Sequence, residues 1–438
     1  MNSQEVGLVK GGGLVGTNGG AASRYWPRVV DAVLNERMAS SAAVLIEGPK
    51  ACGKTETASQ RAASMVRLDV DEDARQAAQI DPGLILEGAR PRLVDEWQLY
   101  PRVWDHVRRL ADASGQAGQF LLTGSSTPGD DARRHSGAGR MATVRMRPMT
   151  LYEVGESSGE VPLTELFAGS DPAASTGRTE LRDVLDLLVT GGWPQQLQRI
   201  DLRFVVDYLD QTAHVDISAV PGADGQQPAR RRDPRKVLAC IRSLARNVAT
   251  AASARSIAAD TGLSREAVTD YLKALVRLMI LEEQPAFNVH LRSSRNLRAT
   301  PHRHLVDPSL ATAALQVDTD GLLRDLDYAG LLFESLVVRD LRVLSQPLDA
   351  SVMYFHTDHH EIDIVLQRPD GTWGAIEVKL GGEELIEQGA GSLLAAVSSI
   401  DLERAGAPTF MAIVTATGRY AYRRDDGVCV VPLTTLAP

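Results

Sequence analysis

Residues 46–58 read "IEGPKACGKTETA". Gly48, Pro49, Lys50, Ala51, Cys52, Gly53, Lys54 and Thr55 fill the pattern G-x-x-x-x-G-K-T. Such a loop wraps backbone N–H groups around phosphate, and glycine allows the close approach. The helix that follows adds the positive end of its dipole. In that pattern Lys54 reaches the β- and γ-phosphates of ATP, and the Thr55 hydroxyl ligates Mg²⁺. Downstream, "RLVDEW" (residues 92–97) ends an apolar run in Asp95-Glu96. Asp95 suits a carboxylate that holds Mg²⁺, and Glu96 suits the base that orients an attacking water. The plainer reading of such a pair is a helix cap; the phosphate loop upstream favours chemistry. "QFLLTGSS" (residues 119–126) places Thr123 and Ser125 at another strand end, where Thr123 is a candidate contact to the γ-phosphate.

A second set of chemical residues lies at the far end. "WGAIEVKL" (residues 373–380) spaces Glu377 and Lys379 by two, so both fall on one face of a strand. "EIDIVLQ" (residues 361–367) carries Asp363, with Ile362, Ile364 and Leu366 expected on the opposite face. If the strands pair, Asp363 and Glu377 offer oxygen ligands for Mg²⁺ and Lys379 stands ready to stabilise hydroxide. Glu334, on the helical stretch before them, and Gln388, on the one after, are further candidates. The bland alternative is the charged face of a half-solvated sheet.

Two kinds of element must position these residues. Apolar runs at 42–48, 65–69, 92–97, 119–126 and 141–147 alternate with helical stretches, which predicts a parallel sheet with ligands at its carboxyl edge. Residues 327–344 have helical apolar spacing, strands follow at 352–356, 361–367 and 373–380, and another helix comes next. The chain of 438 residues is too long for one core. Its net charge of −9 excludes a global basic field, so nucleic-acid contact needs a local patch. Cys52, Cys240 and Cys429 are far apart, without zinc or disulfide spacing, which points to a reducing cytoplasm. No apolar run is long enough to span a bilayer.

The combination "RYWPRVV…AVLIEGPKACGKT…RLVDEWQLYP…FLLTGSS…GAGRMATVRMRPMTLYE" resembles a prokaryotic group of AAA-type ATPases with a C-terminal domain of unassigned function. The resemblance runs from about residue 24 to the end and includes the Asp95-Glu96-Trp97-Gln98 quartet. It implies ATP binding and hydrolysis. It also implies a Gly-Arg step before the last strand, here Gly139-Arg140, with Arg140 contacting the γ-phosphate within the chain or across a homo-oligomer. The plain reading is a solvated arginine. "GGWPQ" (residues 191–195) matches a motif of that group without a derivable role; the plain reading is a tight turn that packs Trp193. At the far end the order Glu334, Asp363, Glu377-x-Lys379 resembles the PD-(D/E)xK nuclease core.

The middle of the chain reads as helix, turn, helix and extended segment over residues 255–287, a winged-helix pattern. Arg292, Arg295, Arg298 and Arg303, with three histidines among them, form a local basic stretch suited to DNA phosphates. The second helix offers Arg265, Glu266, Asp270 and Lys273, a mixed face that argues against base readout. "ARRRDPRK" (residues 229–236) is a second basic run. The predicted fold is α/β: a flexible leader (1–23), a P-loop AAA-type domain (24–154), a linker (155–178), a helical region with a winged helix (179–315) and a nuclease-like α/β domain (316–438). Three functions remain open. They are an ATP-driven switch on a macromolecule such as DNA, an ATP-regulated Mg²⁺-dependent DNA endonuclease, and a non-enzymatic scaffold that recruits a partner protein.

Overall fold

The computed structural model describes residues 25–125, 139–175, 179–198, 200–220, 232–289 and 299–438. The expected leader therefore lies outside the described residues, as do Arg292, Arg295 and Arg298.

Five strands open the fold: β1 (Ala43–Glu47), β2 (Ser64–Arg67), β3 (Arg92–Asp95), β4 (Phe120–Gly124) and β5 (Met141–Arg145). They pair in the order β2-β3-β4-β1-β5, all parallel. Both faces are covered, so β4 is buried along its whole length. The phosphate loop leaves the carboxyl end of β1. β4 separates β1 from β3, which leaves room between the phosphate loop and the end of β3 for a ligand.

The expected linker is folded instead. Two short strands, β6 (Val161–Pro162) and β7 (Ala174–Ser175), lie in it. Val161, Leu163 and Leu166 are buried in the apolar cluster that also holds Leu433 and Leu436. A helical region follows, with helices Leu181–Thr190, Leu202–Gln211 and Pro234–Arg246. Helices Ala254–Thr261 and Arg265–Arg277 are joined by a left-handed Gly262 and capped by Ser253 and Ser264. An antiparallel pair closes this part, β8 (Leu281–Gln284) with β9 (His302–Leu305).

The long helix Leu326–Leu344 leads into β10 (Ser351–His356), β11 (Glu361–Gln367), β12 (Trp373–Lys379), β13 (Phe410–Thr415), β14 (Tyr420–Arg423) and β15 (Cys429–Pro432). Their sheet runs β10-β11-β12-β13-β15-β14-β7, so β7 of the expected linker is an edge strand of it. A final strand, β16 (Leu436–Ala437), pairs with β6. The long helix packs on one sheet face through Leu332, Phe333 and Leu336 against Ile364 and Ile376. Helix Glu383–Ser398 covers the other through Ala390 and Leu393 against Val365 and Ala375. No described helix is long and apolar enough to cross a membrane, and the three cysteines are free and buried.

One expectation about β11 fails. Met353 pairs with Val365 but Phe355 pairs with Ile362, so two residues of β11, Asp363 and Ile364, answer one of β10, Tyr354. This bulge breaks the alternation. Ile364 and Leu366 face the long helix, while Ile362 joins the cluster under helix Glu383–Ser398. Asp363 sits inside the bulge.

Candidate functional site

The phosphate loop is shaped by its neighbours as well as by its own glycines. A Cβ on Gly48 would stand 2.4 Å from the Met146 carbonyl oxygen, so the start of the loop lies against the chain leaving β5. Ala51 (φ 61°) and Gly53 (φ 98°) are left-handed and turn the loop onto helix Lys54–Ser59. Alanine pays steric strain there, a feature common at ligand sites. Lys54 is buried, and its Nζ donates to the Pro49 carbonyl at 2.8 Å, which holds the cation inside the loop.

The end of β3 meets the loop from across the sheet. Thr55 Oγ1 donates to Asp95 Oδ1 at 2.9 Å. Thr123 Oγ1 donates to the same oxygen. Thr123 is fully buried and its hydroxyl is spent on Asp95, so it lies behind the carboxylate and outside the cavity. The expected contact of Thr123 with the γ-phosphate is corrected accordingly: it orients Asp95. Glu96 is left-handed (φ 55°), and its carboxylate accepts from Ser125 Oγ at 3.1 Å and from Gln98 Nε2. Glu96, Lys54 and Thr55 all line one cavity of about 630 Å³. A hydroxyl and a carboxylate oxygen side by side, at Thr55 and Asp95, fit a hard divalent cation such as Mg²⁺.

Several other lining residues were invisible to motif reading. Arg28 is fully buried; it donates to the Cys52 carbonyl at 2.8 Å, to the Arg147 carbonyl at 2.8 Å and to Glu153 Oε1 at 3.0 Å. Burial opposes its charge, but Glu153 outweighs that and keeps its pKa above the ordinary arginine value. Pro194 and Gln195 of "GGWPQ" line the same cavity, although they belong to the middle region. Gly191 (φ 74°) makes the turn. A Cβ on Gly192 would lie 2.1 Å from the Met149 carbonyl oxygen. Trp193 is buried and donates to Ser309 Oγ at 3.0 Å. The middle region also grips the loop from outside, since Lys50 pairs with Asp216 at 2.7 Å. The only sequence signal for this motif was two glycines before Trp-Pro, and its partners are distant in the chain.

A buried polar path leads from the loop to the last domain. Glu153 Oε2 accepts from the Thr150 N–H at 2.9 Å, in a capping box on helix Leu151–Val154. The next N–H, of Leu151, donates to Asp340 Oδ2 at 2.9 Å. Arg339 pairs with Asp340 at 2.7 Å and with Asp307 at 2.7 Å. Asp307 accepts the Gly192 N–H at 3.0 Å. Arg339 and Asp340 lie on the helix that carries Glu334.

With this geometry in hand, comparison with known proteins is informative. A family model described as an AAA domain matches residues 40–155. The front of the chain is an AAA domain. Models for two domains of unknown function, DUF8612 and DUF4143, match residues 181–321 and 329–436. An AAA domain implies ATPase-type use of a nucleotide, usually with Mg²⁺. No curated protein matches the chain. Among solved structures, a chain of the Drosophila ORC bound to DNA aligns at 14% identity, over 66% of this chain and 85% of that one. Its TM-score of 0.19 is too low to argue from.

Behind the AAA domain, the far residues gather only in part. The β11–β12 ladder stops at Ile364–Ile376, and Asp363 Oδ2 accepts the Val378 N–H at 2.8 Å. Lys379 Nζ lies 2.7 Å from Glu377 Oε1. Glu377 is buried, and its Oε2 has no hydrogen-bond partner among the described residues. Burial, then the Glu377 charge, pushes the Asp363 carboxyl up to about 7. Burial, then the charges of Asp363, Glu361 and Glu377, raises Glu334 well above the usual range. Among the described residues no three His, Cys, Asp or Glu side chains form a metal-binding group. Gln388 points elsewhere, to Glu384.

Three further expectations are corrected. Arg140 precedes β5 and pairs with Asp112 at the end of helix Val103–Ser114. In a parallel sheet that is the edge opposite the phosphate loop, so Arg140 cannot reach a phosphate bound by its own chain; only a contact with another copy survives. Arg303 is buried, donating to the Ala252 carbonyl and to Glu283, because it sits mid-strand in β9 against the helix-turn-helix. His302 and His304 beside it are buried as well. Arg232 of the second basic run is likewise buried and paired with Asp270 at 2.8 Å. These cations hold the fold together and are not free to meet DNA.

The GGWPQ turn yields a direct test. Gly192→Ala should push Pro194 and Gln195 off the cavity and weaken nucleotide affinity at least about tenfold, given the 2.1 Å approach to Met149. Titration with a fluorescent ATP analogue measures this. Unchanged affinity in a folded variant would remove the motif from the site.

Proposed function

We propose that the protein is an ATP-hydrolysing switch whose AAA domain drives the middle and C-terminal domains. The observation that carries this reading is Glu96: a left-handed residue at a strand end, its carboxylate facing the same cavity as Lys54 and Thr55 and held by Ser125 and Gln98. In this reading the backbone of residues 48–55 cradles the phosphates and Lys54 contacts the β- and γ-phosphates. Thr55 and Asp95 hold Mg²⁺, which when bound neutralises phosphate charge. Glu96 accepts the proton of the attacking water, and Ser125 and Gln98 keep its carboxylate in place. Thr123 keeps Asp95 turned toward Thr55.

The switch follows from where the nucleotide sits. The groups around it belong to the AAA domain and to the turn at Gly191, so occupancy bears on both. The buried path from Arg28 through Glu153, Asp340, Arg339 and Asp307 supports a link to helix Leu326–Leu344. Arg303, the described arginine of the first basic stretch, is buried and offers DNA no phosphate contact, so a DNA target would have to be met elsewhere on the surface.

A second reading concerns the C-terminal domain. We infer a divalent-metal site at Asp363 and Glu377, with Lys379 beside it for phosphodiester chemistry. The unpartnered Glu377 Oε2, the burial of both carboxylates and the press of the Glu377 charge on Asp363 support it, since a cation would relieve them.

Three measurements test these readings. Lys54→Ala should abolish nucleotide binding. Glu96→Gln should keep it and lower ATP turnover by about 10²-fold or more, because only the base is lost. Turnover equal to wild type would sink the assignment of Glu96. Second, a non-hydrolysable ATP analogue with Mg²⁺ should change amide exchange in residues 326–344 by about fivefold or more, the scale of an ordinary coupling. Glu153→Gln, which keeps the size but loses the charge that pairs with Arg28, should bind the analogue yet lose that change. Exchange that ignores the analogue in wild type would break the link. Third, Mn²⁺ calorimetry on the full chain without nucleotide should show a site that Asp363→Ala removes. Superimposable curves would leave a charged sheet face and nothing more.

A further inference from the structure

A second cavity, of about 530 Å³, shares no lining residue with the nucleotide cavity. It opens where the three parts of the chain meet. The strand end at β5 supplies Arg145 and Arg147, β8 supplies Glu282, and the long helix supplies Arg342. Three guanidiniums converge on one carboxylate. Glu282 lies 3.0 Å from Arg147, 2.6 Å from Arg342 and 3.5 Å from Arg145. Glu47 also reaches Arg145, at 3.4 Å, and Glu283 on the rim is matched by Arg303. One positive charge is left over.

The spare charge comes with spare donors. Arg147 spends only its Nε, on the two oxygens of Glu282. Its terminal amino groups have no hydrogen-bond partner among the described residues, and the buried Nε of Arg145 faces Glu282 Oε1 at 3.5 Å without hydrogen-bonding it. Burial, and then repulsion from Arg147 and Arg145, holds the Arg342 guanidinium below its ordinary pKa in spite of Glu282. A buried donor without a hydrogen bond, as at the Arg145 Nε, is costly, and arginine forks such as that of Arg147 match phosphate oxygens in geometry. The far wall is apolar, from Val276, Leu281, Pro285 and Val352. Gln346 adds a buried amide oxygen without a partner among the described residues, an acceptor for a hydroxyl. The volume falls in the range of ligand pockets.

We propose that this junction cavity binds a small organic phosphate, with the phosphate on Arg145, Arg147 and Arg342 and the apolar body against Val276, Leu281 and Val352. A ligand there would touch the AAA domain, the middle region and the C-terminal domain at once. It would therefore favour whichever relative arrangement of the three the structure adopts with the cavity closed around it. The site is independent of the phosphate loop, and its test is run with that loop disabled.

Calorimetry on the full-length Lys54→Ala protein, with phenyl phosphate and then inorganic phosphate as probes, decides the matter. Phenyl phosphate should bind one per chain, and more tightly than inorganic phosphate. Arg147→Gln should weaken it at least about tenfold, and Glu282→Gln should tighten it, because the competing carboxylate is gone. If the arginines only tie the domains together, Glu282→Gln gains no ligand. Should either variant fail to fold, the Lys54→Ala protein itself still answers. Phenyl phosphate should raise its melting temperature above that in sodium chloride of equal ionic strength. No heat and no melting shift would overturn the site. Inorganic phosphate binding as tightly as phenyl phosphate would overturn the organic ligand.

Discussion

Arg339 carries a charge in a place with almost no water, with a side chain 4% exposed. An isolated cation there would cost several kcal/mol to desolvate. Asp307 and Asp340 offset that cost, and each must then fill its own remaining oxygen positions. Asp340 does so with the N–H of Leu151, and Asp307 with the N–H groups of Gly192 and Ser309. One buried charge thus fixes the entrance to helix Leu151–Val154, the turn beside the nucleotide cavity and the long helix of the last domain. Removing one partner of such a pair typically costs about 3–5 kcal/mol. This polar lock sits beside an apolar cluster that itself runs from Val29 and Leu151 through the helical region to Leu332 and Ile364, and polar locks have discrete arrangements.

That constraint explains why the nucleotide cavity is not a property of the AAA domain alone. The loop supplies phosphate recognition from local sequence. Its outer wall is borrowed from the helical region through Pro194, Gln195 and Asp216.

How much of this the sequence disclosed depends on the range of the interactions. The phosphate loop and Asp95-Glu96 were legible because their chemistry sits within a few residues and at strand ends. The parallel sheet was legible from apolar runs alternating with helices. Arg28 was not, because its three partners, Cys52, Arg147 and Glu153, are chosen by the fold. Arg303 and Arg232 were misjudged for the same reason: charge in a sequence says nothing of burial. The bulge at Asp363 escaped a strict alternation rule, and residues 155–178 looked like a linker because the partners of β6 and β7 are far along the chain. Thr123 was placed at the right strand end but given the wrong neighbour, since a hydroxyl behind a carboxylate and one in front of it have the same spacing.

The pairing of β6 with β16 has a consequence for how the chain is made. Ser157 beside β6 donates to the carbonyl of Leu436, 279 residues downstream. A ribosome adds roughly 5–20 residues each second. Val161 must therefore wait on the order of tens of seconds for its ladder partner Leu436, while the AAA domain already has every strand it needs. In that interval the nascent protein is a complete five-stranded parallel sheet trailing an apolar stub. β6 cannot pair until β16 has been made.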